Sequence, residues 1–251
     1  MFKKSLLALT LLTVAGAASA EVFTTDVQNQ TFTGIAGKAS GVDGVSPFVF
    51  DKFDESLGTL TNVYFRSTVI IDGGLIGADN FTNEVVSGSG HIGASVTIGD
   101  LTNDDVSLLD DEFKPLFSTV DRVRSANFEL AADPTESLGG SGADTFVMAG
   151  DYHEVITGFS AIAQAFLSQF IGAGDTFSIN FDSNSEVYVE ADGAQNTFQT
   201  AVIDLGLELV YEYEVIEDSG DDNISDVSAP FGVAALGLSL MGFGAARRRT
   251  K

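Results

Sequence analysis

The sequence predicts an all-β fold: an antiparallel, jelly-roll-like β-sandwich with one short helix, set between a cleaved signal peptide and a C-terminal transmembrane helix. Three observations predict the sandwich. Stretches rich in Val, Ile, Thr, Tyr and Phe recur along the chain, divided by Gly, Asn and Asp, which turn a chain between antiparallel strands. Only one stretch has helical spacing. Twenty phenylalanines and no tryptophan supply the bulk of a core in a chain of 251 residues.

The N-terminus is an address. Lys3 and Lys4 form a positive head, and Leu6 to Val14 is apolar except for Thr10 and Thr13. Ala18-Ser19-Ala20 offers the small residues that signal peptidase accepts. Residues 1–20 therefore read as a signal peptide cut after Ala20, and 21–216 as the exported domain. Within it, Val45 to Phe50 is a short apolar run and Leu60 to Ile71 a longer β-branched and aromatic one. Val85 to Ile98 mixes Val and Ile with Ser, Thr and Gly. Ser160 to Ile171 is the helix, because Ile162, Phe166 and Phe170 recur at i, i+4 and i+8. Thr176 to Phe181 alternates, with Phe177, Ile179 and Phe181 on one side. A turn at Asp182-Ser183-Asn184 leads to a strand from Ser185 to Glu190. Thr197 to Val215 is the longest strand-like stretch, broken near Gly206.

Residues 217–226 form a linker, with five acids among ten residues and nothing to bury. Residues 227–251 form the tail. Ala229 to Ala246 is uncharged over 18 residues, about 27 Å as a helix and enough to span a bilayer core. Arg247, Arg248, Arg249 and Lys251 follow at once. Such a cluster stays on the cytoplasmic side, which places the body outside the inner membrane.

This tail resembles the PEP-CTERM sorting tail. Val227-Ser228-Ala229-Pro230, a Gly-rich apolar helix and the final basic run match its three parts in order. Pro230 fits the second proline of the name-giving motif, while Ser228 and Ala229 replace its first proline and its glutamate. The resemblance implies recognition by an exosortase-like membrane protease and a transient stay in the inner membrane. The body resembles the choice-of-anchor E domain. Phe53-Asp54-Glu55-Ser56-Leu57-Gly58-Thr59-Leu60 is similar to its N-terminal block, Phe170-Ile171-Gly172-Ala173-Gly174-Asp175-Thr176-Phe177 to its central segment, and Leu209-Val210-Tyr211-Glu212-Tyr213 to its closing strand. The stretch from Asn103 to Gly158 reads as an insertion. This likeness implies an exported bacterial surface or extracellular-matrix protein without catalytic residues. Ser56-Leu57-Gly58 reads as a turn flanked by Leu57 and Leu60 as core contacts, and Tyr211 and Tyr213 share one strand face.

Composition excludes several functions. The chain has no cysteine, so it forms no disulfide and no Cys-ligated metal site. Removing the two ends leaves six cations against 36 acids, a net charge of −30 on the exported body. That charge excludes nucleic acid, which needs clustered Lys and Arg. It attracts divalent cations instead. No cofactor is implied, and Ca²⁺ is the ion the acidic clusters admit. Gly139-Gly140-Ser141-Gly142-Ala143-Asp144-Thr145-Phe146-Val147 fits one RTX nonapeptide, in which Asp144 would be a ligand. A lone copy lacks the neighbouring turn that completes each site, so a Gly-rich turn entering a strand is the competing reading. Asp182, Asn184 and Glu186 have alternating ligand spacing, without the glycine or distant glutamate of an EF-hand. His91 and His153 are the only histidines, and no nucleophile elbow accompanies them.

The expected protein is thus non-enzymatic, sorted through Ala20, Pro230 and Arg247, Arg248 and Arg249 to the cell surface or beyond. Its expected role is structural or adhesive, in association with exopolysaccharide or biofilm. The alternative is a carbohydrate- or Ca²⁺-binding module, with Tyr64, Tyr152 and Tyr188 available to stack on sugar rings.

Overall fold

The computed structural model describes residues 20–99, 104–133 and 142–215. The expected linker and tail, with Pro230, Arg247, Arg248 and Arg249, lie outside them, as does the expected signal peptide up to Ser19. The described chain is a set of antiparallel sheets with two short 3₁₀ helices, Glu55–Leu57 and Gln164–Phe170. Its strands are β1 (Glu21–Thr24), β2 (Gln28–Ile35), β3 (Phe48–Asp51), β4 (Thr59–Asp72), β5 (Leu75–Asn80), β6 (Val86–Ile98) and β7 (Val120–Leu130). They continue with β8 (Thr145–Ala149), β9 (Tyr152–Ile156), β10 (Ser160–Ala161), β11 (Thr176–Ile179), β12 (Phe181–Glu190), β13 (Ala194–Gln199) and β14 (Val202–Val215).

The spine is the pair β4–β14, in register from Val202↔Asp72 to Glu214↔Thr59 with one bulge at Glu212/Tyr213. β2 and then β1 line the far edge of β14, and β9 and β10 the far edge of β4. Facing this sheet are β12–β6–β7 and the pair β11–β3. Only Asn180 separates β11 from β12, so the two form one tract.

Strict alternation drives the facing sides together. Val63, Phe65, Val69 and Ile71 of β4 and Ile203, Leu205, Leu207, Leu209 and Tyr211 of β14 are all buried. They meet Phe48 and Phe50 of β3, Phe177 and Ile179 of β11, Phe181 of β12, and Ala94, Val96 and Ile98 of β6 in one core. Each fully buried phenylalanine contributes roughly 1.5–3 kcal/mol by leaving water. The rings also meet edge to face: Phe170 on Phe177 at 5.2 Å and Phe50 on Phe65 at 6.0 Å.

The spine sheet is creased. β4 continues into β5 through Gly73-Gly74, β8 into β9 through Gly150-Asp151, and β13 into β14 through Thr200-Ala201. The three breaks fall side by side, because β13–β5–β8 repeats the strand order of β14–β4–β9. Gly73 and Gly150 touch backbone to backbone, with no room for a Cβ on either, and Gly74 takes φ +66°. Beyond the crease β5 and β8 pack on the far halves of β6 and β7 around Ile76, Ile92 and Met148, and around Ala78, Val86 and Leu130. Arg122 and Arg124 of β7 reach across to Asp151 at the crease, Arg122 at 2.6 Å, and Arg124 also donates to the Ala149 carbonyl at 3.0 Å.

Several expectations change. The expected turn at Asp182-Ser183-Asn184 is uninterrupted strand. Ser183 points inward there, its Oγ accepting from the N–H groups of Gly37 and Lys38 and donating to the Lys38 carbonyl. The break expected near Gly206 falls instead at Thr200-Ala201, and Gly206 lies within β14 opposite Thr68. The helix expected over Ser160 to Ile171 is a shorter 3₁₀ segment, so the expected i, i+4, i+8 face is replaced by one repeating at i+3, with Leu167 and Phe170 buried; Phe166 packs partly against the core, and the buried Ile162 precedes the helix. Leu60 is a core contact, whereas Leu57 is 47 % exposed on the first 3₁₀ helix. Gly58 takes φ +149° against the Glu214 carbonyl, as its place after a turn requires.

Tyr211 is buried, and its Oη donates to the Asp51 carbonyl at 2.8 Å. Burial, and secondarily the charge of Asp51, push its phenol well above the ordinary 10.0. A raised folded pKa gives stability that is fully present below the ordinary phenol value and is lost as pH rises beyond it. Urea titrations across alkaline pH should show this loss, and Tyr211→Phe should flatten it while costing about 1 kcal/mol at neutral pH.

Candidate functional site

β6 and β12 turn one face to the core and the other outward. The outward residues form cross-strand rows: Asp182 with Thr97, Asn184 with Ser95 and Asp121, Glu186 with Gly93 and Val123, Tyr188 with His91 and Ser125, and Glu190 with Ser89 and Asn127. The face is flat and polar because hydroxyl, amide and carboxylate residues alternate with the buried aliphatic ones. An aromatic pair sits within it. The His91 and Tyr188 rings stack at 4.3 Å and 12°, and Tyr188 is 41 % exposed. His91 Nδ1 lies 2.9 Å from Ser125 Oγ and Nε2 lies 3.4 Å from Ser89 Oγ. The imidazole is thus fixed by two hydroxyls and a ring, and it offers Tyr188 a rigid platform.

At one end this face runs into a cleft of about 980 Å³. Ser87 and Glu190 belong to both, and Thr82, Asn83, Glu84 and Asp192 complete the cleft's polar wall. The β5–β6 connection that forms this wall is held by Asn80, which is fully buried. Asn80 Nδ2 donates to the carbonyls of Glu84, Leu130 and Ala131, and its Oδ1 accepts from the N–H and hydroxyl of Thr82. One amide side chain therefore ties the connection to the end of β7.

The expected metal residues are dispersed. Asp182, Asn184 and Glu186 share the outward face of one straight strand, which places Asp182 and Glu186 roughly 13 Å apart. Coordination at about 2.3–2.6 Å cannot join them on one ion. Asp144 sits in the turn that enters β8, where its carbonyl accepts from Asn80 N at 3.0 Å. Residues 139–141 of the nonapeptide lie outside the described residues. Among the described residues no group of three His, Asp or Glu side chains is placed to hold an ion. In the connection between β6 and β7, Asp105 accepts from Ser178 N at 2.7 Å and Asp104 from Asn180 N at 2.6 Å, so both finish the edge of β11.

The other residues singled out by sequence are spread over the molecule. Ala20 is exposed and directly precedes β1. Tyr64 is half-buried, and burial followed by the charge of Glu212 raises its phenol. Tyr152 is exposed on β9. His153 neighbours Ile71 on β4 and is remote in register from the His91 face. The His91–Tyr188 stack and the cleft were not legible in the sequence; the only signal was the polar alternation of Ser87, Ser89 and His91.

No family model matches the chain, and no curated protein matches it significantly. Among solved structures, that of infectious bursal disease virus, Gx strain, aligns with 76 % of the chain and 38 % of its own at 9 % identity and a TM-score of 0.20. The Gt strain aligns with 87 % of the chain and 48 % of its own at 10 % identity and 0.15. The chain spans less than half the length of these viral chains, and at such TM-scores the likeness carries no inference.

Replacing Asn80 by Ala takes this partner from the Leu130 and Ala131 carbonyls and from the Thr82 N–H, while the Thr82 hydroxyl keeps the Glu84 carbonyl. It should cost about 3 kcal/mol in denaturant unfolding. Hydrogen exchange should quicken first around Thr82 to Val86.

Proposed function

We propose that this chain is an exported, non-enzymatic bacterial surface or matrix protein, a jelly-roll β-sandwich that contacts exopolysaccharide through the outer face of β6 and β12. The observation that carries the contact is the exposed Tyr188 ring, stacked on His91 within a flat polar face that opens into a carboxylate-lined cleft. Sugar rings bind by stacking their C–H faces on aromatic rings while hydroxyls and carboxylates around the ring take their O–H groups. Ser89, Ser125, Asn127, Glu190 and Asn184 supply such groups here.

Strand order supports the jelly-roll reading. Counting β2, β3, β4–β5, β6, β7, β8–β9, β11–β12 and β13–β14 as eight tracts in chain order gives one layer 1-8-3-6 and the other 2-7-4-5. Two interlocked Greek keys have this order. The sequence supports the sorting half of the reading: a signal peptide cut after Ala20, then a tail in which Pro230, the apolar stretch and Arg247 to Arg249 resemble an exosortase substrate. The choice-of-anchor resemblance fits the same role.

Two measurements test the proposal. Glycan arrays and pull-down of purified exopolysaccharide should show binding that Tyr188→Ala weakens about tenfold, the value of one stacked ring. Equal binding by the variant would remove this face from the contact. Mass spectrometry of the native C-terminus should find a form ending near Pro230 outside the cell and a form retaining Arg247 to Lys251 in the inner membrane. Recovery of only the full-length chain, and only in the inner membrane, would end the sorting reading.

A further inference from the structure

The layer opposite that face carries a second, smaller concavity on the outward side of β13–β5–β8. Asp79 of β5 stands between Thr145 of β8 and Gln195 of β13 in one cross-strand row, and Gly77 between Val147 and Thr197 in the next. Ile76 and Ala78 point into the core, so Asp79 and Gly77 face out, as does the exposed Val147. A groove of about 220 Å³ lies over the two rows.

Two features set this groove apart. Asp79 Oδ1 and Thr145 Oγ1 are both buried, and neither has a hydrogen-bond partner among the described residues. Such atoms carry their desolvation cost uncompensated, which is rare in a folded chain. The groove also depends on a missing side chain. A Cβ on Gly77 would come within 2.7 Å of Thr197 Oγ1 and 3.3 Å of the Phe146 carbonyl.

We propose that this groove binds one neutral, hydroxyl-rich unit, a single sugar ring, whose entry turns the covered Asp79 and Thr145 side chains toward it, the Asp79 carboxylate then accepting from one ligand O–H and the Thr145 hydroxyl bonding its neighbour. An ionised carboxylate only accepts, so the ligand must donate. The volume lies below the roughly 300–1,000 Å³ of pockets for drug-sized ligands and suits one ring rather than a chain. Asp79 is the one carboxylate among the described lining residues, too few for a divalent cation, and neither Lys nor Arg lines the groove to hold an anion. Gln195 and Thr197 add an amide and a hydroxyl of the kind that read sugar hydroxyls. The site is separate from the Tyr188 face and stands whether or not that face binds glycan.

The test is an amide-shift titration of the full chain, isotope-labelled, in a detergent without a sugar headgroup. The probes are free glucose, galactose, mannose and N-acetylglucosamine. At least one should give saturable shifts at Asp79, Thr145 and Thr197. Asp79→Asn should weaken that sugar about tenfold, because a charged acceptor becomes a neutral one. Thr145→Val should abolish the response while raising the thermal midpoint, since it removes an unpaired buried hydroxyl without changing shape. Tyr188→Ala should leave these shifts untouched. Absence of saturable shifts with all four sugars would overturn the proposal. So would wild-type affinity in both groove variants, or a response given only by Ca²⁺ or by glucosamine.

Discussion

The ladder between β4 and β14 is the constraint on which the rest of the molecule depends. It pairs the strand that follows the first 3₁₀ helix with the last described strand, so its contacts are among the most distant in sequence. Four further strands hang on its edges, and the phenylalanine core forms only when its inward side meets β3, β11, β12 and β6. Long-range pairing of this kind is slow to form, because the chain between the partners must be closed before any contact offsets the cost. The crease follows from the same ladder. The breaks fall in neighbouring strands of that layer, and Gly73 and Gly150 allow their backbones to touch there.

The polar residues divide into those that serve the backbone and those that face solvent. Asn80, Ser183, Asp104 and Asp105 satisfy N–H and C=O groups where strands end or change partner. This use absorbs part of the acidic excess. Lys38, Arg66, Lys114, Arg122 and Arg124 each reach a carboxylate. Exposed pairs of this sort contribute little individually, but Arg122 and Arg124 join an edge strand to the crease of the opposite layer. The remaining acids leave a strongly negative surface that keeps copies of the body apart in solution.

How much was legible in the sequence varies with how a strand is buried. β4, β6, β11 and β14 announce themselves through alternation, since each turns one face to the core. β2 and β7 do not. Gln28–Ile35 is polar and β7 places Arg122 and Arg124 on its inward side, because both are edge strands that bury only part of that side: Phe32 of β2 and Val120, Ala126, Phe128 and Leu130 of β7 pack inward, while Arg122 and Arg124 reach Asp151. The run at Asp182 imitates a turn for a related reason: Asp, Ser and Asn mark turns by local bonding, whereas here Ser183 spends that capacity on Gly37 and Lys38. Of the candidate sites, sequence supplied the tyrosines and the acids but not their geometry. Stacking of His91 on Tyr188 joins residues of different strands, and the unpaired state of Asp79 and Thr145 is a property of three-dimensional burial alone.

The pairing of Glu21 with Val215 brings the start of the first strand and the end of the last to the same end of the molecule. The cleft beside Glu84 and Asp192 lies at the other end, beyond the crease. A pull between Val215 and that distal end runs along the strands. It loads the β4–β14 rungs in shear, many at once, rather than opening them one after another like a zip. The long axis is therefore the direction in which this fold resists force best, and β14 is the strand that transmits the tension.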